Sequence, residues 1–567
     1  MTSDSRRWAM ESVIGPSVIA GSVILAMTVV LFWSQMIVVA GPTAAAWLPR
    51  MLAQHYTNND TVGSLLRNLP PFLNITGKVI EELARNGTGH CYEQHTNSTK
   101  VTGLPNNVDV HTLSTNVVHK FWLHSYTHAG ERRCAGGDYY ELDLSSPLWK
   151  SRPPIEDLQN GTYAVQFMVP DAYAGFFNFS AHLLFDAYHG LDFDGQAFKI
   201  VELTASLRIN FVTPAHIKAN STNTTASTAQ QRTRDAQNLL TLKRCNPATD
   251  FTTHEWSGRW TRPVDNDTCT PDAEARYTHC FSNSDNIPCK NPTWCSGNVS
   301  SLESVGWSYS AHCTFHIFSP REAWDCLDGR WLFFWGDSNH QDTIRNMLTF
   351  ILGIQPPPGR DILHFPVDRS FQNWYRNPDN LDQEVRITSH YNGHPEVDAN
   401  GYGLDSLDHD HPAYRNYVRR FFEAKRYPDT VIMNSGLHDG WRHRNIDAYV
   451  KSVENALTYW SELFGNVSSK PPELVYRTTI APAGAARGMQ SNAQKLEVYN
   501  RIMTEKVQLR FPKVKLVDEF DMSFPFHYDN NYSDGGHYGR APGDHGNHYY
   551  FVDVMLGHVL LNALCPQ

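Results

Sequence analysis

No dense block of lysine and arginine occurs anywhere in the 567 residues, and the formal net charge is −10. A chain without a concentrated basic patch has little to neutralise phosphates with, so nucleic acid is excluded as an expected partner. No two cysteines stand in C-x-x-C spacing, although ten are present. That excludes the usual zinc ribbon, and the even count favours disulfides. No charged side chain falls between Glu11 and Arg50. A segment that long without charge is not an ordinary water-exposed N-terminus. Core-forming residues, by contrast, are plentiful at 41% hydrophobic and 12% aromatic. This is a folded chain of about two or three domains.

The uncharged segment reads VIGPSVIAGSVILAMTVVLFWSQMIVVA from Val13 to Ala40. It is long enough to cross a hydrocarbon core as a helix. A cleaved signal peptide is the competing reading, with small residues at Ala44–Ala46, but the apolar run is about twice a normal signal core. The expectation is an uncleaved signal anchor over 13–40 behind a cytoplasmic tail over 1–12. Asn-x-Ser/Thr sequons begin at Asn59, Asn74, Asn86, Asn97, Asn160, Asn178, Asn220, Asn223, Asn266, Asn298, Asn466 and Asn531. Their number is roughly twice that of random placement, and every cysteine follows the apolar segment. Both features point to a glycosylating, oxidising lumen. The expected topology is therefore single-pass type II, with the body lumenal in the Golgi membrane or extracellular at the cell surface.

Residues 41–104 are sequon-rich and poorly periodic, and read as a stem. From 105 to 215 the runs YYELDLSS, GTYAVQFMV, GFFNFSAHLLFD and AFKIVELTASLRINFV alternate apolar and polar residues between turn signals. That is the pattern of an all-β sandwich. HIKANSTNTTASTAQQRTRDAQ, starting at His216, is poor in apolar residues, so 216–244 reads as a linker. Cys269, Cys280, Cys289, Cys295, Cys313 and Cys326 then crowd the 245–326 stretch, a stapled lead-in, while Cys565 is placed to tie down the C-terminus.

From 327 to 567 the period changes. RWLFFW, TVIMNS, ELVYRTT and KVKLVDEF are short β-type runs separated by helical patterns, one of which sets Val450, Val453, Leu457, Trp460 and Phe464 on a single face. Strands alternating with helices predict a three-layer α/β/α domain with a parallel sheet. Its active site is expected beyond the carboxyl ends of the strands. RWLFFWGDSNHQDTIRN places Gly336, Asp337 and Ser338 at such an end, where helix amides can stabilise an oxyanion. A serine hydroxyl needs a base. SDGGHYG offers one, with Asp534 and His537 three residues apart in a glycine-rich loop. His527, His537, His545 and His548 lack the rigid spacing of a metal site, so no metal is expected.

LDGRWLFFWGDSNHQDTIRN together with DGGHYG resembles the PC-esterase domain of the GDSL/SGNH superfamily. VIMNSGLHDGW resembles the intermediate block of trichome birefringence-like polysaccharide O-acetyltransferases. DLQNGTYAVQFMVPDAYAGFFNFSAHLLF is similar to the filamin/Ig-like half of neurexophilin and PC-esterase proteins. The resemblance covers residues 105–567. It implies an SGNH-hydrolase-like domain preceded by a filamin/Ig-like sandwich and a transmembrane helix, with Ser338 as nucleophile, His537 as base and Asp534 as its orienting partner. Gly336, Asp337, Gly436, His438 and Trp441 are the candidate oxyanion and substrate wall beside the triad, and the resemblance adds Asn434, helped by the Ser338 backbone N–H. Asn434 would donate its side-chain amide, and a backbone glycine donor is expected at a position the sequence does not reveal. The chain departs from the pattern at Gln341, where many relatives carry arginine; the nearest arginine is Arg345.

The resemblance implies acyl-ester transfer through an acyl-serine, with O-acetylation of a glycan or polysaccharide as the first reading. No cofactor is expected to be resident. The acetyl donor would be a lumenal acyl carrier, or acetyl-CoA supplied through a multi-span partner. A carbohydrate acetylesterase with the same triad is the second reading. The third is a non-catalytic adhesion or ligand-binding module, with Gln341 marking lost activity.

Overall fold

The computed structural model describes residues 91, 94–104, 108–192, 198–199, 202–213, 244–252, 256–261, 307–358, 363, 365, 368–393, 401–466, 470–527, 533–539 and 551–566. They belong to one unit, Thr88–Gln567. The expected anchor at 13–40, the tail, most of the stem and almost all of the linker lie outside the described residues, as do Cys269, Cys280, Cys289 and Cys295. Among the described residues no helix is long and apolar enough to cross a membrane.

A β-sandwich comes first. One sheet has the order β1–β3–β7–β6, formed by Ser98–Thr102, His119–Tyr126, Thr162–Phe167 and Ile155–Asp157. The other has seven strands in the order β11–β10–β5–β4–β8–β9–β2. In chain order these are β2 (His111–Ser114), β4 (Tyr139–Ser146), β5 (Trp149–Ser151), β8 (Gly175–Phe185), β9 (Glu202–Val212), β10 (Arg259–Thr261) and β11 (Ser308–Ser310). Alternation creates the core: Phe121 and Leu123 of β3 point inward and meet Leu142 and Leu144 of β4 and Phe177 and Phe179 of β8. The sandwich starts earlier than residue 105, at Ser98, and it draws β10 and β11 from the stretch read as a cysteine-rich lead-in. These three-residue strands are too short to show a period.

The second sheet has six strands in the order β13–β14–β12–β15–β16–β17. They are β12 (Trp331–Gly336), β13 (Phe371–Asn377), β14 (Asn380–Tyr391), β15 (Thr430–Asn434), β16 (Glu473–Arg477) and β17 (Lys515–Val517). All six residues of β12 and all five of β15 are buried, as central parallel strands require. The expected sheet was wholly parallel; in fact β13 runs antiparallel to β14 at the edge. That hairpin turns at Asn-Pro-Asp, and β13 is so exposed that polar residues occupy both its faces, which erased the alternation that betrays a strand.

Helices cover both faces. On one lie α1 (Pro320–Leu327), α2 (Ser338–Asn346) and, later in the chain, α8 (Phe551–Leu564), whose Met555 and Leu560 join Ile344 of α2 over Leu332, Phe334 and Ile432. α3 (Pro412–Arg419) and α4 (Leu437–Arg442) follow in sequence, with α5 (Ile446–Gly465), α6 (Ala493–Arg510) and α7 (Glu519–Ser523). On the other face Trp460 of α5 meets Trp335 edge-on at 5.8 Å. α5 is capped by Asn445, whose side chain accepts from the Ala448 amide, and it buries Val450, Val453, Leu457, Trp460 and Phe464, the predicted stripe. Disulfides join Cys91 to Cys134, Cys245 to Cys313 and Cys326 to Cys565. The last ties the C-terminus to α1 across a separation of 239 residues, a constraint of about 5 kcal/mol in a chain-entropy account.

Candidate active site

β12 is first in the chain but stands between β14 and β15 in space. The connections after β12 and after β15 therefore run to opposite sides of the sheet, the arrangement at whose carboxyl ends open α/β sheets bind ligands. Gly336 ends the strand, and a β-carbon there would collide with the His340 imidazole. Asp337 caps α2, its side chain accepting from the Asn339 amide at 2.9 Å. Ser338 thus opens a helix whose first amides have no acceptor within it.

The Ser338 Oγ lies 2.6 Å from His537 Nε2. His537 Nδ1 lies 3.0 Å from both carboxylate oxygens of Asp534. An ionised carboxylate only accepts, so Nδ1 carries the proton and Nε2 is left to accept from the serine hydroxyl. Ser338 is 6% exposed, and the His537 and Asp534 side chains are 16% and 14% exposed. The three are screened from bulk water yet reachable.

The loop bearing Asp534 and His537 is held along its length. Gly535 has φ 109°, a conformation that favours glycine. Its carbonyl accepts from the Ala483 amide at 3.0 Å. The Gly536 amide donates to Asp534 Oδ1 at 2.9 Å, and the Tyr538 hydroxyl donates to the Ala481 carbonyl at 3.0 Å.

Asn434, expected as an oxyanion donor, is buried. Its side-chain amide gives hydrogen bonds to the carbonyls of Arg477 and Thr478, both at 3.1 Å. It ties β15 to the end of β16 instead. The loop after β14 was missed because its strand was missed. There the Asn392 amide donates to the Gly336 carbonyl at 2.8 Å, and buried Gly393 is the next residue in the chain. The signal was Tyr-Asn-Gly at 391–393.

The remaining wall residues divide by contact. Gly436, at φ 137°, donates its amide to Asp439 Oδ2 at 2.8 Å, and Asp439 Oδ1 accepts from the Leu404 amide at 2.9 Å. Asp439 therefore shapes a turn. His438 is half-buried, with its ring edge-on to Tyr391 at 5.6 Å. A β-carbon on Gly536 would stand 3.6 Å from Leu437, and Trp441, four residues on and 47% exposed, shares that face of α4. Gln341 is buried; it donates to the Arg369 carbonyl at 2.6 Å and accepts from the Asp368 amide at 3.2 Å. It pins the left-handed Asp368, φ 54°, before β13. Arg345 is paired with Asp342 at 2.9 Å.

Behind α2, Arg477 donates to Glu519 Oε2 at 2.6 Å and to the Thr343 hydroxyl at 2.7 Å. Asp553 accepts from Thr343 at 2.9 Å and from Asn346 at 2.8 Å. Burial pushes Glu519 up to about 8 and Asp553 up to about 7, with Arg477 only partly offsetting it. Burial also holds His340 well below its usual range, so it is neutral.

Among the described residues one trio, His95, Asp186 and His189, has the spacing of metal ligands. It lies in the sandwich, and the Lys199 ammonium already stands 3.2 Å from Asp186. Of the four histidines first weighed as ligands, His537 faces Ser338 and Asp534, His527 faces Glu141 at 2.7 Å, and His545 and His548 are outside the described residues. Of the sequon asparagines, Asn97, Asn160, Asn178 and Asn466 are described and all are exposed. Asn59, Asn74, Asn86, Asn220, Asn223, Asn266, Asn298 and Asn531 are outside the described residues.

No family model and no curated protein matches the chain. Among solved structures it is similar to the acetyl xylan esterase Axe2 from Geobacillus stearothermophilus at 12% identity and TM-score 0.25, covering 42% of this chain and 95% of that one. LAE5, an alpha/beta hydrolase enzyme from the metagenome of Lake Arreo, Spain, is similar at 14% identity and TM-score 0.25, covering 42% of this chain and 96% of that one. The Lin-41 filamin domain is similar at 8% identity and TM-score 0.15, covering 21% of this chain and 96% of that one.

Proposed function

We propose that this protein exchanges acyl esters on a carbohydrate through an acyl-serine at Ser338. The supporting observation is the unbroken line from Ser338 Oγ through His537 to Asp534. In the first half-reaction His537 Nε2 takes the hydroxyl proton as Oγ bonds to the ester carbonyl carbon. The oxyanion then collapses, the carbon–alkoxide bond breaks, and the leaving oxygen takes the proton from Nε2. In the second half an acceptor hydroxyl loses its proton to Nε2 as its oxygen bonds to the acyl carbonyl carbon, the bond from that carbon to Oγ breaks, and Oγ takes the proton from Nε2. The Ser338 backbone N–H and the loop at Gly393 are the expected oxyanion donors.

With a sugar hydroxyl as acceptor this is O-acetylation of a glycan or polysaccharide, our first reading. Trp441, exposed on the helix face that leads from the His537 loop, suits a pyranose ring. With water as acceptor the protein is a carbohydrate acetylesterase. The non-catalytic reading drew on Gln341, and its hydrogen bonds to the Asp368–Arg369 segment leave the triad untouched. We place the protein in the Golgi membrane or at the cell surface as a type II protein, taking acetyl groups from a lumenal carrier or from acetyl-CoA through a multi-span partner. Product analysis with an acetyl donor and saturating glycan acceptor tests this: acetylated glycan supports the first reading, and acetate alone overturns it in favour of the esterase.

A further inference from the structure

The β-sandwich reaches into the second domain through a carboxylate with no exposed surface. Glu141 of β4 sets Oε1 2.6 Å from Arg487 Nη1 and Oε2 2.7 Å from His527 Nε2, and its side chain and that of His527 are 0% exposed. Both partners border the segment that carries the triad's base. Arg487 donates through Nε to the Gly484 carbonyl at 3.0 Å, and the neighbouring Ala483 amide donates to the Gly535 carbonyl at 3.0 Å. On the other side, the His527 carbonyl accepts from the Gly484 amide at 3.0 Å. The stretch from His527 to His537 is thus fastened at its start and next to Asp534, and both fastenings converge on one carboxylate of another domain.

A buried ion pair contributes little net stability compared with apolar packing of the same volume. Its value lies in fixing geometry, and a triad is sensitive to geometry at the level of an ångström. The two domains also share a half-buried polar contact: Glu497 of α6 accepts from Tyr139 at 3.0 Å and from Arg152 at 2.6 Å. That contact joins the domains without touching the His537 loop.

We propose that the sandwich is a working part of the enzyme, with Glu141 as a positioning residue that holds the His537 loop against Ser338 through Arg487 and His527. This rests on the acyl-serine reading of Ser338.

The test compares Glu141→Gln with Glu497→Gln in the full chain, measuring kcat and KM on p-nitrophenyl acetate, phosphonate labelling of Ser338, and the melting temperature. Glu141→Gln is expected to lower kcat and labelling rate by about tenfold or more with KM within about twofold. Glu497→Gln is expected to lower the melting temperature comparably while kcat stays within about twofold. Native kcat in Glu141→Gln, or equal losses in both variants, overturns the proposal. If Glu141→Gln does not fold, Arg487→Lys decides by the same criteria, because it keeps the charge and loses the bond to Gly484. An unlabelled parent protein overturns the acyl-serine reading itself, whereas a labelled parent with an indifferent Glu141→Gln overturns only the role of the sandwich.

Discussion

Ser338 Oγ and His537 Nε2 stand 2.6 Å apart although 199 residues separate them in the chain. The contact joins the end of the central strand to a loop shortly before the last helix. Asp534, three residues from the histidine, supplies the carboxylate that sets its tautomer.

That tautomer can be removed without removing bulk. Asp534→Asn is expected to lower kcat by about 10³-fold or more while the fold is retained, because the amide no longer fixes the proton on Nδ1. Steady-state kinetics beside a far-ultraviolet circular dichroism spectrum checks this. A variant within tenfold of the parent removes Asp534 from the triad.

Asn434 makes a contrary prediction to the one its sequence position implies. An oxyanion-hole side chain is worth about 10²–10³ in kcat. The Asn434 amide donates to the Arg477 and Thr478 carbonyls. Asn434→Ala is therefore expected to lower the melting temperature while kcat falls less than about tenfold. A loss of 10²-fold with an unchanged melting temperature would restore the oxyanion role.

Gln341 should behave as a structural residue. Gln341→Ala deletes two hydrogen bonds to the Asp368–Arg369 turn, a loss of about 1–3 kcal/mol in unfolding free energy. Denaturant unfolding measures it, and kcat is expected to stay within about threefold. Unchanged stability would contradict the pinning.

The cluster behind α2 makes stability depend on pH. Glu519 and Asp553 are raised to about 8 and about 7 from 4.5 and 3.8 by burial. The native chain therefore holds protons that the unfolded chain has released, so each contribution is full below the unfolded value, 4.5 for Glu519 and 3.8 for Asp553, and is lost as pH rises through about 8 and about 7. Glu141 and Glu497, which their basic partners hold down to about 2 against burial, act in the opposite sense and only as pH falls below 4.5. His340 and His390, held neutral by burial, act in the opposite sense below pH 6.5, so the difference between parent and variant isolates the acid: Glu519→Gln is expected to gain melting temperature relative to the parent as pH rises from 5 to 8. A constant difference over that window would contradict the burial of Glu519.

Much of the site is legible in the sequence because its signals are local. Five apolar residues before Gly336 announce a buried strand, Asp337 a cap, and Asp534 with His537 a base and its partner in one turn. The stripe from Val450 to Phe464 likewise reads directly as a helix face. What escaped is either exposed or non-local. The β13–β14 hairpin shows no clean alternation, and with it went Gly393, whose place depends on β14 pairing beside β12. The bonds of Asn434 depend on which carbonyls a neighbouring strand presents. The clamp from Glu141 to Arg487 spans 346 residues and two domains, and no local period encodes it.

The central claim is that Ser338 is a nucleophile activated by His537. Intact-mass and peptide mass spectrometry after reaction with a fluorophosphonate tests it most directly. A single adduct on the peptide carrying Ser338, absent in Ser338→Ala and slowed in His537→Ala, is the predicted result. No adduct on the folded parent protein, or the same adduct in Ser338→Ala, would contradict it.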